Sequence, residues 1–195
     1  MARPSSTVQV TIVPTGADRE ALLTAVASAA ATDTTGVRVG RSCPHCGSRA
    51  HGRPWATADG RPVPVSAART GGSTAVAAVS GPVDGDTSIG IDLEQVARVA
   101  AAPLDASGPD ERRRLRDDRD RAAAWAVKEA VLKRDGRGLR VDPVAVEVDL
   151  ARGVARFGGV EQPVTVLWPA PGTVLAVAAG GLPVLVDDRV SPPVV

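Results

Sequence analysis

Two stretches of the chain carry residue types that can do chemistry together. In Gly90-Ile91-Asp92-Leu93-Glu94 two carboxylates stand two residues apart, on one face of an extended strand, with Ile89, Ile91 and Leu93 on the other. Side by side, two carboxylates repel unless a cation lies between them. A hard ion such as Mg²⁺ takes oxygen ligands and keeps sites for water and phosphate. The pair is therefore a candidate metal site for pyrophosphate chemistry. Taken alone it is also what a half-buried strand with a solvated acidic face looks like.

In the second stretch, Trp125, Glu129 and Lys133 recur every four residues, so they line up on one helix face. Glu129 is placed to join a metal shell or to take a proton from a nucleophile. Lys133 is placed to neutralise charge on phosphate oxygens. The competing reading is an ordinary ion pair on a solvated helix, worth about 0.2–0.5 kcal/mol. A third group, Cys43-Pro44-His45-Cys46-Gly47, resembles half of a zinc knuckle. Zinc favours four ligands; only His45 and His51 could add to the two cysteines, and His45 sits inside the loop. The thiols are expected to be reduced and to shape a turn.

These residues must be held by a scaffold, and the apolar periodicity outlines it. Val8, Val10 and Ile12 alternate as in a strand, and a helical pattern runs from Asp18 to about Ala31. The turn-rich stretch from Arg38 to Pro64, with its Cys, Gly, His and Pro, reads as irregular surface structure. Strands are expected at Thr74–Ser80 and Ser88–Leu93, followed by a Pro- and Gly-containing link, Ala102–Pro109. A charged helical part from Asp110 to Arg121 leads into an Ala-rich part ending at Arg134, closed by Gly136 and Gly138. Further strands are expected at Val144–Leu150, Val164–Trp168, Val174–Ala178 and Leu182–Val186, with a loose tail, Asp187–Val195. Helices followed by runs of strands indicate an α+β fold with antiparallel sheet.

The 195 residues fit one compact unit or two small halves. The apolar fraction of 44% is enough for a core, but Ala and Val dominate it, so the three Trp are expected to carry much of the packing. A net charge of +1 and only four aromatic residues argue against nucleic-acid binding. No apolar run is long enough to span a membrane, and Met1 to Val8 lacks the design of a signal peptide. A cytoplasmic location is expected. The charged run around Arg112, Arg113 and Arg114 reads as a solvated helix face, with a docking patch for an acidic partner as the alternative.

Together and in this order, the two stretches resemble the signature motifs of the Sfp-type 4′-phosphopantetheinyl transferase superfamily. Gly90-Ile91-Asp92-Leu93-Glu94 resembles its Gly-(Ile/Val)-Asp-x-Glu. Trp125 through Lys133, followed by Gly136-Arg137-Gly138-Leu139, resembles its Trp-x-x-Lys-Glu-(Ala/Ser)-x-x-Lys and Gly-x-Gly-Leu. His51-Gly52-Arg53-Pro54 is similar to a (His/Tyr)-Gly-(Lys/Arg)-Pro segment that lies against coenzyme A in that family. The resemblance implies a pseudo-dimer of two similar α/β halves, about 1–87 and 88–186, forming a single domain over 1–186 with a tail at 187–195. It implies Mg²⁺ held by Asp92, Glu94 and Glu129. It implies coenzyme A as co-substrate, with Arg53, Lys128 and Lys133 at its phosphates. Glu129 and Lys133 would be catalytic. The partner would be an apo acyl or peptidyl carrier protein, whose serine receives phosphopantetheine as 3′,5′-ADP leaves, and the enzyme would be a monomer.

One departure stands out. The family's Asn-x-Ser-His-(Ser/Thr)-like stretch aligns with Val65-Ser66-Ala67-Ala68-Arg69-Thr70, placing Arg69 where the phosphate-contacting histidine is expected. Arginine grips phosphate with a permanent charge and a planar fork of donors, so an altered grip is the reading. The alternative is a relative that binds coenzyme A or carrier protein without transfer.

Overall fold

The computed structural model describes residues 5–102 and 106–188. In chain order its elements are β1 (Thr7–Pro14), α1 (Asp18–Ala30), β2 (Val37–Ser42), β3 (Arg53–Ala58), β4 (Arg61–Val63), β5 (Val65–Thr70), β6 (Ser73–Ser80) and β7 (Gly90–Gln95). Then come α2 (Val96–Ala101), α3 (Pro109–Arg114), α4 (Asp118–Asp135), β8 (Glu147–Asp149), β9 (Val154–Phe157), β10 (Val160–Ala170), β11 (Thr173–Ala178) and β12 (Val184–Asp188). The fold is mixed α+β. The described residues divide into two compact units: 5–67, 72–88 and 182–188 in one, and 68–71, 89–102 and 106–181 in the other.

In the first unit β1 lies between β12, which it pairs in parallel, and β6, which it pairs antiparallel; residues 65–67, the start of β5, also belong to this unit. The helix α1 turns Leu22, Ala25, Val26 and Ala29 onto Val76 and Ala78 of β6 and onto Val37, Ala56 and Ala58. Those last residues belong to a second sheet, β2-β3-β4. The expected irregular stretch from Arg38 to Pro64 is therefore corrected: it is a three-stranded antiparallel sheet with a loop between β2 and β3. Alternation of Val37 with Val39 and of Ala56 with Ala58 supplies its apolar face. Pro54 and Pro62, which donate no backbone hydrogen bond, mask it in the sequence.

The second unit is a five-stranded sheet in the order β7-β11-β10-β9-β8, antiparallel throughout. The helix α4 packs on β7 and β11 through Ala122, Ala123, Ala126, Val127, Ala130 and Val131, against Val174, Ala176 and Ala178 among others. Small side chains on both surfaces bring helix and sheet close. At its start Asp117 caps α4 by accepting from the Asp120 N–H, and at its end Gly136, in the left-handed region at φ 91°, returns its N–H to the Leu132 and Lys133 carbonyls.

Three further expectations change. The strand expected over Val144–Leu150 is shorter, because Pro143–Ala145 forms a 3₁₀ turn before β8. The last strand continues to Asp188, and the rest of the expected tail, 189–195, lies outside the described residues, as do 103–105 of the expected link. The tryptophans do not dominate the core: Trp55 is 45% and Trp168 36% exposed, and the buried apolar residues are Ala, Val, Leu and Ile. Trp168 instead sits under the Arg119 guanidinium, 4.0 Å from ring centre to charge centre.

Candidate active site: a buried carboxylate cluster

The acidic strand end is not a solvated face. Both sides of β7 are covered, and Asp92 and Glu94 are 4% and 7% exposed. What covers them is α4, and Gly90 permits the approach: a Cβ there would lie 1.9 Å from the Ala130 carbonyl oxygen and 2.5 Å from the Arg134 nitrogen. The glycine opening the acidic motif thus serves the distance between strand and helix, a role not assigned from the sequence. Pairing with β11, Asp92 opposite Ala176 and Glu94 opposite Val174, fixes the register in which both carboxylates face the helix.

From α4 the three residues spaced by four arrive on this face. The Lys133 ammonium donates to Asp92 Oδ1 at 2.6 Å and stands 3.5 Å from Glu129 Oε2. The simple ion pair within the helix is therefore the weaker of its two contacts. The Trp125 indole N–H donates to the Glu94 carboxylate, so the tryptophan of the motif orients a carboxylate besides packing. Arg98 of α2 places its Nε 3.9 Å from Glu94 Oε2.

The buried Asp92 and Glu94 and the half-buried Glu129 and Lys133 perturb one another. Burial, opposed by the Lys133 charge, raises the Asp92 carboxyl above its ordinary range. Burial and then the Asp92 charge raise Glu94. Burial, followed by Asp92, also raises Glu129, against the pull of Lys133. Lys133 goes up because Asp92 and Glu129 favour its charged form by more than burial opposes it.

Two oxygens in the cluster, Asp92 Oδ2 and Glu94 Oε2, are buried without a hydrogen-bond partner. Orphaned carboxylate oxygens are costly in a dry site. They are what a hard divalent cation takes as ligands, and such a cation would also relieve the repulsion among the acids. The unpartnered oxygens of Asp92 and Glu94 are of the kind Mg²⁺ takes, whereas the carboxylate oxygens of Asp92, Glu94 and Glu129 do not all lie within 4.8 Å of one another.

The structure thus brings Asp92, Glu94, Glu129 and Lys133 together. It does not bring Lys128 to them. Lys128 is fully buried, its Nζ donating to Glu111 Oε2 at 2.8 Å, to the Pro143 carbonyl at 3.3 Å and to the Val146 carbonyl. That accounts for its three donors. Burial lowers its basicity, which the Glu111 contact partly restores. Arg69 is exposed on β5 and groups with the second unit; Arg53, also exposed, opens β3 in the first. Of the charged run, Glu111 is buried, whereas Arg112, Arg113 and Arg114 are exposed. Trp125, Leu115, Arg112 and Arg121 line a cavity of about 410 Å³.

Residues 88–163 match the family described as ACPS, the 4′-phosphopantetheinyl transferase superfamily. The matched span contains Asp92, Glu94, Glu129 and Lys133, so the resemblance read from the two motifs and this match coincide. The match supports a transferase of the phosphopantetheinyl type. No curated protein matches the chain.

Proposed function

We propose that the chain transfers 4′-phosphopantetheine from coenzyme A to a serine of an apo acyl or peptidyl carrier protein, with Mg²⁺ held by Asp92, Glu94 and Glu129. One observation carries the reading. Within the matched span, the buried Asp92 and Glu94 stand with the half-buried Glu129, all three with raised pKa values, and one oxygen on each of the two buried acids lacks a hydrogen-bond partner. When bound, the metal would supply charge neutralisation at the pyrophosphate of coenzyme A.

The chain's own residues divide the remaining work. Trp125 and Lys133 fix the Glu94 and Asp92 carboxylates, so the acids need little rearrangement when the site fills. Glu129, on the face of α4 beside Lys133, takes the proton of the carrier serine. The serine oxygen bonds to the β-phosphorus, the bond from that phosphorus to the bridging oxygen breaks, and 3′,5′-ADP departs with the electron pair. Lys133 keeps its positive charge and offsets the charge that builds on the leaving phosphate. Contacts of Arg53 and Arg69 with coenzyme A phosphates rest on the motif resemblance.

The test is intact-protein mass spectrometry of an apo carrier protein incubated with the chain, coenzyme A and Mg²⁺, with and without chelator. A chelator-sensitive gain of ~340 Da, the transferred arm, is expected. Coenzyme A binding without any gain across several carrier types would overturn transfer. It would favour a binding-only relative, with Arg69 in the place of a histidine as its first suspect.

A further inference from the structure

Away from the carboxylate cluster, the loop joining β2 to β3 gathers thiol and imidazole groups. We infer that Cys43, Cys46 and His51 form a zinc site, with a fourth position open to water, that ties the two ends of this loop together. The ligand atoms of these three side chains all lie within 4.8 Å of one another, the one such group of three or more metal-capable side chains among the described residues. Cys46 Sγ and His51 Nε2 are 3.4 Å apart. Around a tetrahedral zinc, with Zn–S of about 2.3 Å and Zn–N of about 2.0 Å, sulfur and nitrogen ligands sit about 3.5 Å from each other. The ion fits without moving that pair.

The backbone is already shaped for it. Gly47, at φ 70°, turns the chain so that its N–H reaches the Cys43 carbonyl at 2.9 Å, and the Cys43 N–H reaches the Ser48 carbonyl at 2.9 Å. Within this turn the Cys43 sulfur accepts from the backbone N–H groups of Cys46 and His45. Backbone donors aimed at a sulfur stabilise the thiolate, the form that binds metal. At the other end, Gly52 is held against the Ser42 and Cys43 backbone, where a Cβ would meet the Ser42 carbonyl oxygen at 2.4 Å. Arg41 donates to the Gly52 carbonyl at 3.1 Å. His51 is thereby delivered to the two sulfurs by backbone geometry.

Two thiolates and an imidazole select a borderline-soft ion over Mg²⁺, so this site and the carboxylate cluster would load with different metals. Cys46 and His51 are exposed, and His45 is not among the clustered ligands, so water completes the coordination. Loading displaces the thiol protons to solvent. Cys43 and Cys46 are free thiols, as expected, and on this inference they hold a metal as well as shaping the turn that leads to Arg53.

The full chain, purified with reductant after growth in zinc-supplemented medium, should carry about one zinc per chain by metal analysis. Cys43→Ser/Cys46→Ser should lose it and Asp92→Ala should keep it. Titration of the metal-stripped wild type with Co²⁺ should give a thiolate-to-cobalt charge-transfer band, a readout that needs no variant to fold. Zinc far below stoichiometry together with no such band would overturn the site. So would zinc retained by the double cysteine variant, or a reversible Cys43–Cys46 disulfide in protein that takes up neither metal.

Discussion

Replacing Lys128 by methionine separates two readings of that lysine. The motif resemblance makes it a phosphate contact, whereas the structure makes it half of a buried pair. Its side chain is 1% exposed and that of Glu111 3% exposed, with 2.8 Å between Nζ and Oε2. Methionine keeps most of the volume and leaves the Glu111 carboxylate buried without its cation. Its Oε1 already lacks a hydrogen-bond partner. Removing one member of a buried pair typically costs about 3–5 kcal/mol, a large part of the roughly 5–15 kcal/mol that holds a domain folded.

Lys128→Met/Glu111→Leu removes both charges at once. Two carbonyls, of Pro143 and Val146, then lose a donor at about 1 kcal/mol each. Against this, the desolvation of two ions disappears, and such replacements are often neutral or stabilising by about 1–4 kcal/mol. The double variant should therefore lie within about 2 kcal/mol of wild type. Urea unfolding followed by tryptophan fluorescence measures both. A single variant that loses less than about 1 kcal/mol, or a double variant as unstable as the single, refutes the buried-pair reasoning. The carrier-modification assay gives the second readout. A folded double variant should transfer with little change in the KM for coenzyme A, and a large rise in that KM would return Lys128 to the phosphates.

Other perturbations follow from the same geometry. Gly90→Ala forces a Cβ into the Ala130 carbonyl and should destabilise by about 1–3 kcal/mol or more by thermal unfolding, with Mg²⁺ affinity falling as the strand is pushed from α4. Glu129→Gln should cut the transfer rate far more than coenzyme A binding, as followed by single-turnover mass spectrometry; a wild-type rate would remove its role as base. The metal-free protein should become less stable as pH rises from the ordinary carboxylate range, near ~4, through the raised values of Asp92, Glu94 and Glu129. The folded state holds more protons than the unfolded state across that window, so the slope of unfolding free energy with pH is negative. Added Mg²⁺ should flatten that fall, because the bound cation replaces the protons; melting curves at several pH values with and without the ion decide it.

How far the sequence carried depends on what each pattern encodes. The strand β1 and the helices α1 and α4 were legible because their apolar periodicity or caps are local. The β2-β3-β4 sheet was not, because two of its strands contain proline and Trp55 on its central strand is half-exposed, so composition spoke for a loop while the alternation of Val37 with Val39 spoke softly for a strand. The strands β5 and β9 also escaped notice, being short and interrupted by Arg69 and Arg156.

The carboxylates show the same limit more sharply. Spacing put Asp92 and Glu94 on one face of a strand and Glu129 and Lys133 on one face of a helix, but spacing is blind to what faces what. A wet strand and a dry one share the pattern Gly-Ile-Asp-Leu-Glu. The difference lies in a contact between residues far apart in the chain: Gly90 against the Ala130 carbonyl, with alanines along α4 thin enough to let the helix settle there. Once helix and strand touch, the acids lose water, their pKa values rise and what would be an ordinary surface pair becomes a set of mutually repelling buried and half-buried groups. Lys128 shows the converse. It stands in the same motif, one residue before Glu129, yet a step of one along a helix turns a side chain by about 100°. That turn carries Lys128 away from the acids to Glu111. Within nine residues of one helix, the period of the backbone thus separates the groups that face the acids from the one that anchors the helix to the rest of its unit.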